Sequence, residues 1–206
     1  MQGLTSRLFD DDDTDAIDPY VLFEEWYAAA QASEPADANA MALATVDADG
    51  LPDARTVLMN GRSPDGIVFY SNAESDKGRQ LAASPRAALL FHWKSLFRQV
   101  RLRGPVEEVA ASEATAYFHA RPRGSQIGAH ASEQSRPLTS REDLLNRMSR
   151  LETRLEGVEV PRPDHWRGFR VRPIVWEFWR AGEFRLHDRV RFERSGAGWA
   201  RQRLNP

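Results

Sequence analysis

The sequence predicts a mainly β fold, a barrel with peripheral helices. Strand-like segments, about six or seven of them, come in pairs joined by turn signals, which disfavours a strictly alternating βαβ fold. Helical periodicity enters only before the first strands, briefly after the third, and in a long insertion at about 112–156. At 206 residues the chain fits one domain with appended helices, and 41% hydrophobic residues suffice for a core.

Residues 1–17 are polar and carry "DDDDTD", which reads as a flexible acidic tail; the folded domain is expected over 18–206. Asp18 is placed to cap a helix over 19–32, with Pro19 at its first position and Leu22, Phe23, Trp26 and Ala30 on one stripe. "AMALATVDADGLPDARTVLMN" (40–60) then reads as two strands joined at "DADG". "GRSPDG" turns the chain into the strand "IVFYSN", and "SDKGRQLAASP" is a short helix ended by Pro85. "RAALLFHW" and "FRQVRLRGPVEEV" form another strand pair. Ser112 is placed to cap "EATAYFHARP", and Leu144, Met148, Leu151 and Leu155 line a helix that stops at Gly157. "GFRVRPIVWEFW", "FRLHDRVRFERS" and "GWARQRL" return to strands.

Composition narrows function. A net charge of −2 argues against wholesale binding to nucleic acid or an anionic membrane. No cysteine is present, so disulfides, thiolate metal sites and cysteine nucleophiles are excluded. Neither a signal-peptide core nor a run of about 18 apolar residues occurs, and a cytoplasmic protein is expected. The five histidines are scattered, so no metal site is expected, and no G-x-S-x-G, G-x-G-x-x-G or P-loop occurs. Anion binding must come from dispersed arginines, lysines and hydroxyls.

Two stretches supply them. In "GEFRLHDR" (182–189) a strand puts Arg185, His187 and Arg189 on one face and Leu186 on the other, with Val190 and Phe192 continuing inward. An exposed strand has the same alternation. Tyr117 and Arg121 are i and i+4 on a helix, with Ser125 a turn beyond; guanidinium, phenol and hydroxyl suit a phosphate monoester, and a solvated helix end fits as well. Lys77 and Arg55 are further single phosphate-binding candidates.

"RTVLMN", "VFYSNAESDKG", "RQV", "YFHARPRGSQIGAHASEQS", "EFW", "GEFRLHDR" and the final "RLNP" occur in the order found in the pyridoxamine 5′-phosphate oxidases, and the chain resembles that family from about residue 19 to its end. The resemblance implies a homodimeric FMN-binding split barrel with flavin sites at the subunit interface. It implies oxidation of pyridoxamine or pyridoxine 5′-phosphate to pyridoxal 5′-phosphate, with O2 as acceptor and H2O2 released. On this resemblance FMN is held by Arg55, Thr56, Val57, Leu58, Tyr70, Ser71, Lys77, Gln99, Gln134, Ser135, Trp179 and Arg189. The substrate is held by Asn60, Tyr117, Arg121, Ser125, Arg185, Leu186 and His187, with Arg185 and His187 catalytic, over and beside the pyridine ring.

The sequence departs from the family at Asn60, where a lysine usually reaches the substrate phosphate, and at Asp76, where a basic residue often precedes the flavin-phosphate lysine. Asp76 is expected to face solvent or cap the helix. Competing readings are a phenazine-type flavin oxidase of the same fold and a non-catalytic carrier of pyridoxal phosphate or flavin.

Overall fold

The computed structural model describes residues 4–9 and 17–206. Among them are ten strands: β1 (Ala40–Val46), β2 (Pro52–Leu58), β3 (Gly61–Ser63), β4 (Gly66–Asn72), β5 (Arg86–Trp93), β6 (Arg98–Glu108), β7 (Trp166–Val171), β8 (Val175–Arg180), β9 (Asp188–Ser195) and β10 (Gly198–Leu204). The helices are α1 (Leu4–Leu8), α2 (Pro19–Ser33), α3 (Asp76–Ala83), α4 (Ala111–Ala120), α5 (Arg123–Ala131) and α6 (Arg141–Arg154). All paired strands run antiparallel, in the order β10-β9-β8-β6-β5-β1-β2, with β3, β4 and β7 branching from β6.

β6 makes the barrel split. Its first half, Arg98–Arg103, pairs with β8, and its second, Val106–Glu108, with β7. The change of partner falls at Gly104, where a Cβ would lie 1.8 Å from the Arg172 carbonyl oxygen. Only glycine admits that approach. Pro173 likewise divides the expected run "GFRVRPIVWEFW" into β7 and β8, so the structure has more, shorter strands than the sequence suggests.

α2 closes the core. Asp18 caps it, accepting from the backbone N–H of Tyr20 at 2.7 Å and Val21 at 3.4 Å. Phe23 packs on Phe91 and Trp176 with ring centroids 5.2 and 5.4 Å away, and Trp26 meets Phe178 edge-on at 5.2 Å. Val100, Leu102, Val190 and Phe192 fill the same core from alternating positions of β6 and β9.

Four expectations meet a different structure. Leu4–Leu8, within the stretch read as a solvated tail, is helical: the Leu4 and Thr5 amides donate to Glu25 at 2.9 and 3.1 Å, and Leu8 is buried. The acidic run at 10–16 lies outside the described residues. Ser112 does not cap α4, which begins one residue earlier because Val109 still donates to the Gly168 carbonyl and the chain turns directly afterwards. Tyr117, Arg121 and Ser125 do not share one helix, since Arg121 ends α4 and Pro122 opens α5. The strand expected from Phe184 begins only at Asp188; Glu183–Arg185 is a single 3-10 turn in which Phe184 and Arg185 have φ of 54° and 67°. Leu186 is accordingly exposed rather than core-facing. None of the helices among the described residues is long and apolar enough to cross a membrane.

Candidate functional site

β2 is the last strand of its sheet, so one edge of its backbone is left unpaired. That edge borders a cavity of about 430 Å³ walled by Arg55, Thr56, Val57, Leu58 and Asn60 on one side and Tyr70, Ser71 and Lys77 on another. Tyr117, Arg121, Gln134 and Trp166 complete it. Of the sequence-assigned residues, Arg55, Thr56, Val57, Leu58, Asn60, Tyr70, Ser71, Lys77, Tyr117, Arg121 and Gln134 thus converge, drawn from β2 and the turn after it, β4, α3, α4 with its C-cap and the segment after α5.

Each cation there is fixed differently. Arg55 is tied to its own sheet and to α3, donating to Thr45 Oγ1 at 2.5 Å and to Gln80 Oε1 at 3.1 Å and pairing with Asp53. Lys77, in the first turn of α3, is buried, and its Nζ donates to Ser75 Oγ at 3.2 Å and Gln134 Oε1 at 3.0 Å. Both partners are neutral. Burial, and then the Arg55 charge, hold the Lys77 ammonium below the usual lysine range. Asp76 is exposed and pairs with Arg79, in keeping with a solvent-facing helix start.

The loop after α5 is pinned across α3, with Ser135 Oγ accepting from the Asp76 N–H at 3.2 Å and Ser71 Oγ donating to Gln134 Oε1 at 3.4 Å. Beside it stand three flat rings. Tyr70 stacks on Tyr117 at 4.1 Å and on Trp166 at 5.1 Å, with interplanar angles of 5° and 4°. Burial, aided by Glu113 and Tyr117, pushes the Tyr70 phenol up to about 12, so it stays a neutral hydrogen-bonding group. Asn60 is held by its backbone, donating to the Val68 carbonyl at 2.9 Å.

Gln99, Trp179, Arg185, Leu186, His187 and Arg189 form a second cluster, at the outer face of the larger sheet. Gln99, Trp179 and Arg189 are successive cross-strand neighbours on β6, β8 and β9. The His187 ring lies 4.7 Å from that of Trp179, and its Nδ1 accepts from the Gly182 N–H at 3.2 Å, which leaves the proton of the neutral ring on Nε2. Arg189 donates to Glu177 Oε1 from Nη2 at 2.8 Å and Nε at 3.1 Å. Arg185 and Leu186 project from the 3-10 turn into solvent. No hydrogen bond, ion pair or ring contact joins the two clusters among the described residues. Ser125 is exposed in the first turn of α5, outside the lining of the cavity.

Two family models together span both clusters. Residues 28–153 match the family described as pyridoxamine 5′-phosphate oxidase, and 166–206 match the pyridoxine 5′-phosphate oxidase C-terminal dimerisation region. Proteins named pyridoxine/pyridoxamine 5′-phosphate oxidase are 55% identical in Nitrobacter hamburgensis, covering 98% of this chain and 96% of that one, and 57% identical in Azorhizobium caulinodans, covering 95% and 93%. The chain belongs to the pyridoxamine 5′-phosphate oxidase family.

Among solved structures, PhzG from Burkholderia lata in complex with tetrahydrophenazine-1-carboxylic acid is 32% identical, covers 95% of each chain and superposes with a TM-score of 0.87. A pyridoxamine 5′-phosphate oxidase-related, FMN binding protein from Nostoc punctiforme, 15% identical over 93% of this chain and all of that one, has the same fold with a TM-score of 0.74. The first pyridoxamine 5′-phosphate oxidase match contains every cavity residue except Trp166, while Trp179, Arg185, His187 and Arg189 fall in the dimerisation region.

Sequence reasoning missed Trp166 and Glu177. Trp166 lies two residues before the strand expected from Gly168 and carries no motif; it is the first residue of β7. Glu177 belongs to a motif segment, "EFW", yet only the structure reveals that its carboxylate lies between Arg101, its register partner on β6, and Arg189, which reaches it diagonally from β9.

Proposed function

We propose that this chain is an FMN-dependent oxidase that converts pyridoxamine or pyridoxine 5′-phosphate to pyridoxal 5′-phosphate, as a homodimer. The observation that carries the reading is the cavity itself: Arg55, Lys77 and Arg121 converge there beside the unpaired edge of β2, and Lys77 and Arg121 have no carboxylate partner among the described residues. A buried ammonium held only by neutral groups, beside a second cation, is a fitting place for a phosphate dianion. Lys77, Arg55, Ser71, Gln134 and Ser135 would hold the flavin phosphate and its ribityl chain, with the backbone of Thr56, Val57 and Leu58 along the ring. Gln99, Trp179 and Arg189 would close over the ring from the partner subunit.

Bound FMN supplies hydride acceptance from the substrate's exocyclic carbon and returns the electrons to O2, releasing H2O2. The protein's part is alignment and charge. Tyr117, Arg121, Ser125 and Asn60 take the substrate phosphate, which anchors one end of the pyridine. Arg185 lays its planar guanidinium over the ring with Leu186 beside it, and His187 presents its Nε2–H to the ring hydroxyl. Arg189, fixed by the Glu177 carboxylate, would reach the flavin as a positioned hydrogen-bond donor.

The phosphate-ester reading is supported over the phenazine-type one by relatives at 55–57% identity against 32%, and by Tyr117 and Arg121 standing together in the cavity. The test is purified protein reconstituted with FMN and given pyridoxamine 5′-phosphate in air, with aldehyde absorbance and peroxide followed together. Equimolar product and peroxide are expected. Flavin-loaded protein without turnover would refute the substrate assignment and leave the cofactor reading standing.

A further inference from the structure

The Arg121 guanidinium is positioned without a counter-ion. Its Cζ lies 5.0 Å from the Trp166 ring centroid and 5.8 Å from that of Phe118. Nη1 is buried with no hydrogen-bond partner, and the guanidinium makes no hydrogen bond or ion pair among the described residues. An orphaned buried donor is costly unless something else stabilises it, and the negative face of an aromatic ring does so. Arg55 and Arg189, by contrast, are held by the carboxylates of Asp53 and Glu177. A carboxylate fixes an arginine and cancels its charge; an indole fixes it and leaves the charge whole.

We infer that Trp166 is a positioning residue that holds Arg121 against its ring face, so that the undiminished charge meets the phosphate of the substrate. The inference rests on the substrate reading proposed above. Trp166 is itself immobilised, 6% exposed and stacked on Tyr70 at 5.1 Å, which in turn stacks on Tyr117 at 4.1 Å. The same three-ring stack therefore registers the phenol of Tyr117 and the guanidinium of Arg121, two groups of one phosphate cradle. Trp166 touches neither reacting carbon nor flavin in this role, and its removal acts on binding of the phosphate end.

The experiment compares wild type, Trp166→Phe and Trp166→Leu as FMN-loaded protein. Each is assayed with pyridoxamine 5′-phosphate for KM and kcat, and titrated calorimetrically with pyridoxal 5′-phosphate and with unphosphorylated pyridoxal. The expected result is a KM and a pyridoxal 5′-phosphate dissociation constant raised roughly 3- to 30-fold in Trp166→Leu, by the usual strength of a desolvated cation–π contact. Trp166→Phe should recover most of the loss, the effect should fall on KM rather than kcat, and pyridoxal binding should not change. Equal affinities in wild type and Trp166→Leu overturn the inference, as does a fall in kcat and in pyridoxal binding of the same size, which would mark a merely structural residue. Should the leucine variant not fold, Trp166→Phe decides alone: an unchanged KM overturns the inference. Wild type that binds pyridoxal 5′-phosphate without turning over pyridoxamine 5′-phosphate would instead sink the functional reading, while the titrations still judge Trp166.

Discussion

Replacing Glu177 by glutamine should separate two ion pairs that share one carboxylate. Glu177 projects from the outer face of β8 and yet its side chain is only 8% exposed, because Arg189 and Arg101 cover it from either side; theirs are 27% and 53% exposed. The Arg189 contact is two-pronged onto Oε1, at 2.8 and 3.1 Å, and lies in the drier position. Charge-assisted bonds of that kind contribute about 1.5–3 kcal/mol. Arg101, half in water, contributes about 0–1 kcal/mol after solvent screening. Glu177→Gln keeps the shape and one acceptor oxygen, so a loss of about 2 kcal/mol is expected, which for a chain of this size lowers Tm by roughly 4–8 °C. The assay is urea unfolding followed by tryptophan fluorescence, run as two double-mutant cycles, one pairing Glu177→Gln with Arg189→Gln and one with Arg101→Gln. The coupling to Arg189 should exceed that to Arg101 by about 1 kcal/mol or more. Equal couplings, or a larger one to Arg101, would refute the claim that burial and two-pronged geometry decide the strength of this pair.

Asn60→Lys restores a full charge to the cavity wall and should lower the KM for the phosphorylated substrate about fivefold, the difference between a neutral and a charge-assisted hydrogen bond; an unchanged KM counts against it. Because burial and Arg55 depress the Lys77 ammonium and a bound phosphate favours its protonated form, FMN affinity should fall as pH rises, beginning below the ordinary lysine value of 10.5. Fluorescence titration of FMN against pH checks this, with Lys77→Gln losing that dependence; a decline confined to pH above 10.5 would contradict the burial argument. Gly104→Ala sets a methyl 1.8 Å from a carbonyl that neighbouring ladder bonds hold in place, since the Arg172 N–H donates to Pro105 at 2.9 Å. A destabilisation of roughly 3 kcal/mol or more is expected in the urea midpoint.

The parts of this protein legible in the sequence are those where local chemistry and tertiary structure agree. Asp18 with Pro19 announces α2 because a cap acts within one turn, and Ser75 does the same for α3, accepting from the Gly78 N–H at 3.3 Å. Period-2 alternation placed Val190 and Phe192 in the core because β9 is truly extended there. The same alternation misled at Phe184–His187. Nothing in the residue types of "EFRL" signals two successive left-handed backbones, a conformation imposed by the return of the chain onto Gly182. α5 was hidden by Gly124 and Gly128, which weaken helical periodicity without preventing a helix. In the cavity, Arg55, Lys77, Tyr117 and Arg121 were legible from their chemistry and spacing and the other assigned residues only through the family resemblance, while Trp166 was not, since an aromatic residue reads as core until its neighbours are known. Glu177 needed the packing of β6, β8 and β9 and the diagonal reach of Arg189, long-range facts.

The separation of the assigned residues into two clusters on one chain has a consequence for genetics as much as for structure. In the proposed homodimer each working centre takes its cavity from one subunit and its 185–189 segment from the other. Arg121→Gln and Arg185→Gln would then be lesions in different halves of the centre, and a mixed dimer of the two would concentrate both defects in one centre and leave the second whole. Two proteins that each fail alone should, after random subunit exchange, regain about a quarter of wild-type activity. A centre built within one subunit would regain none.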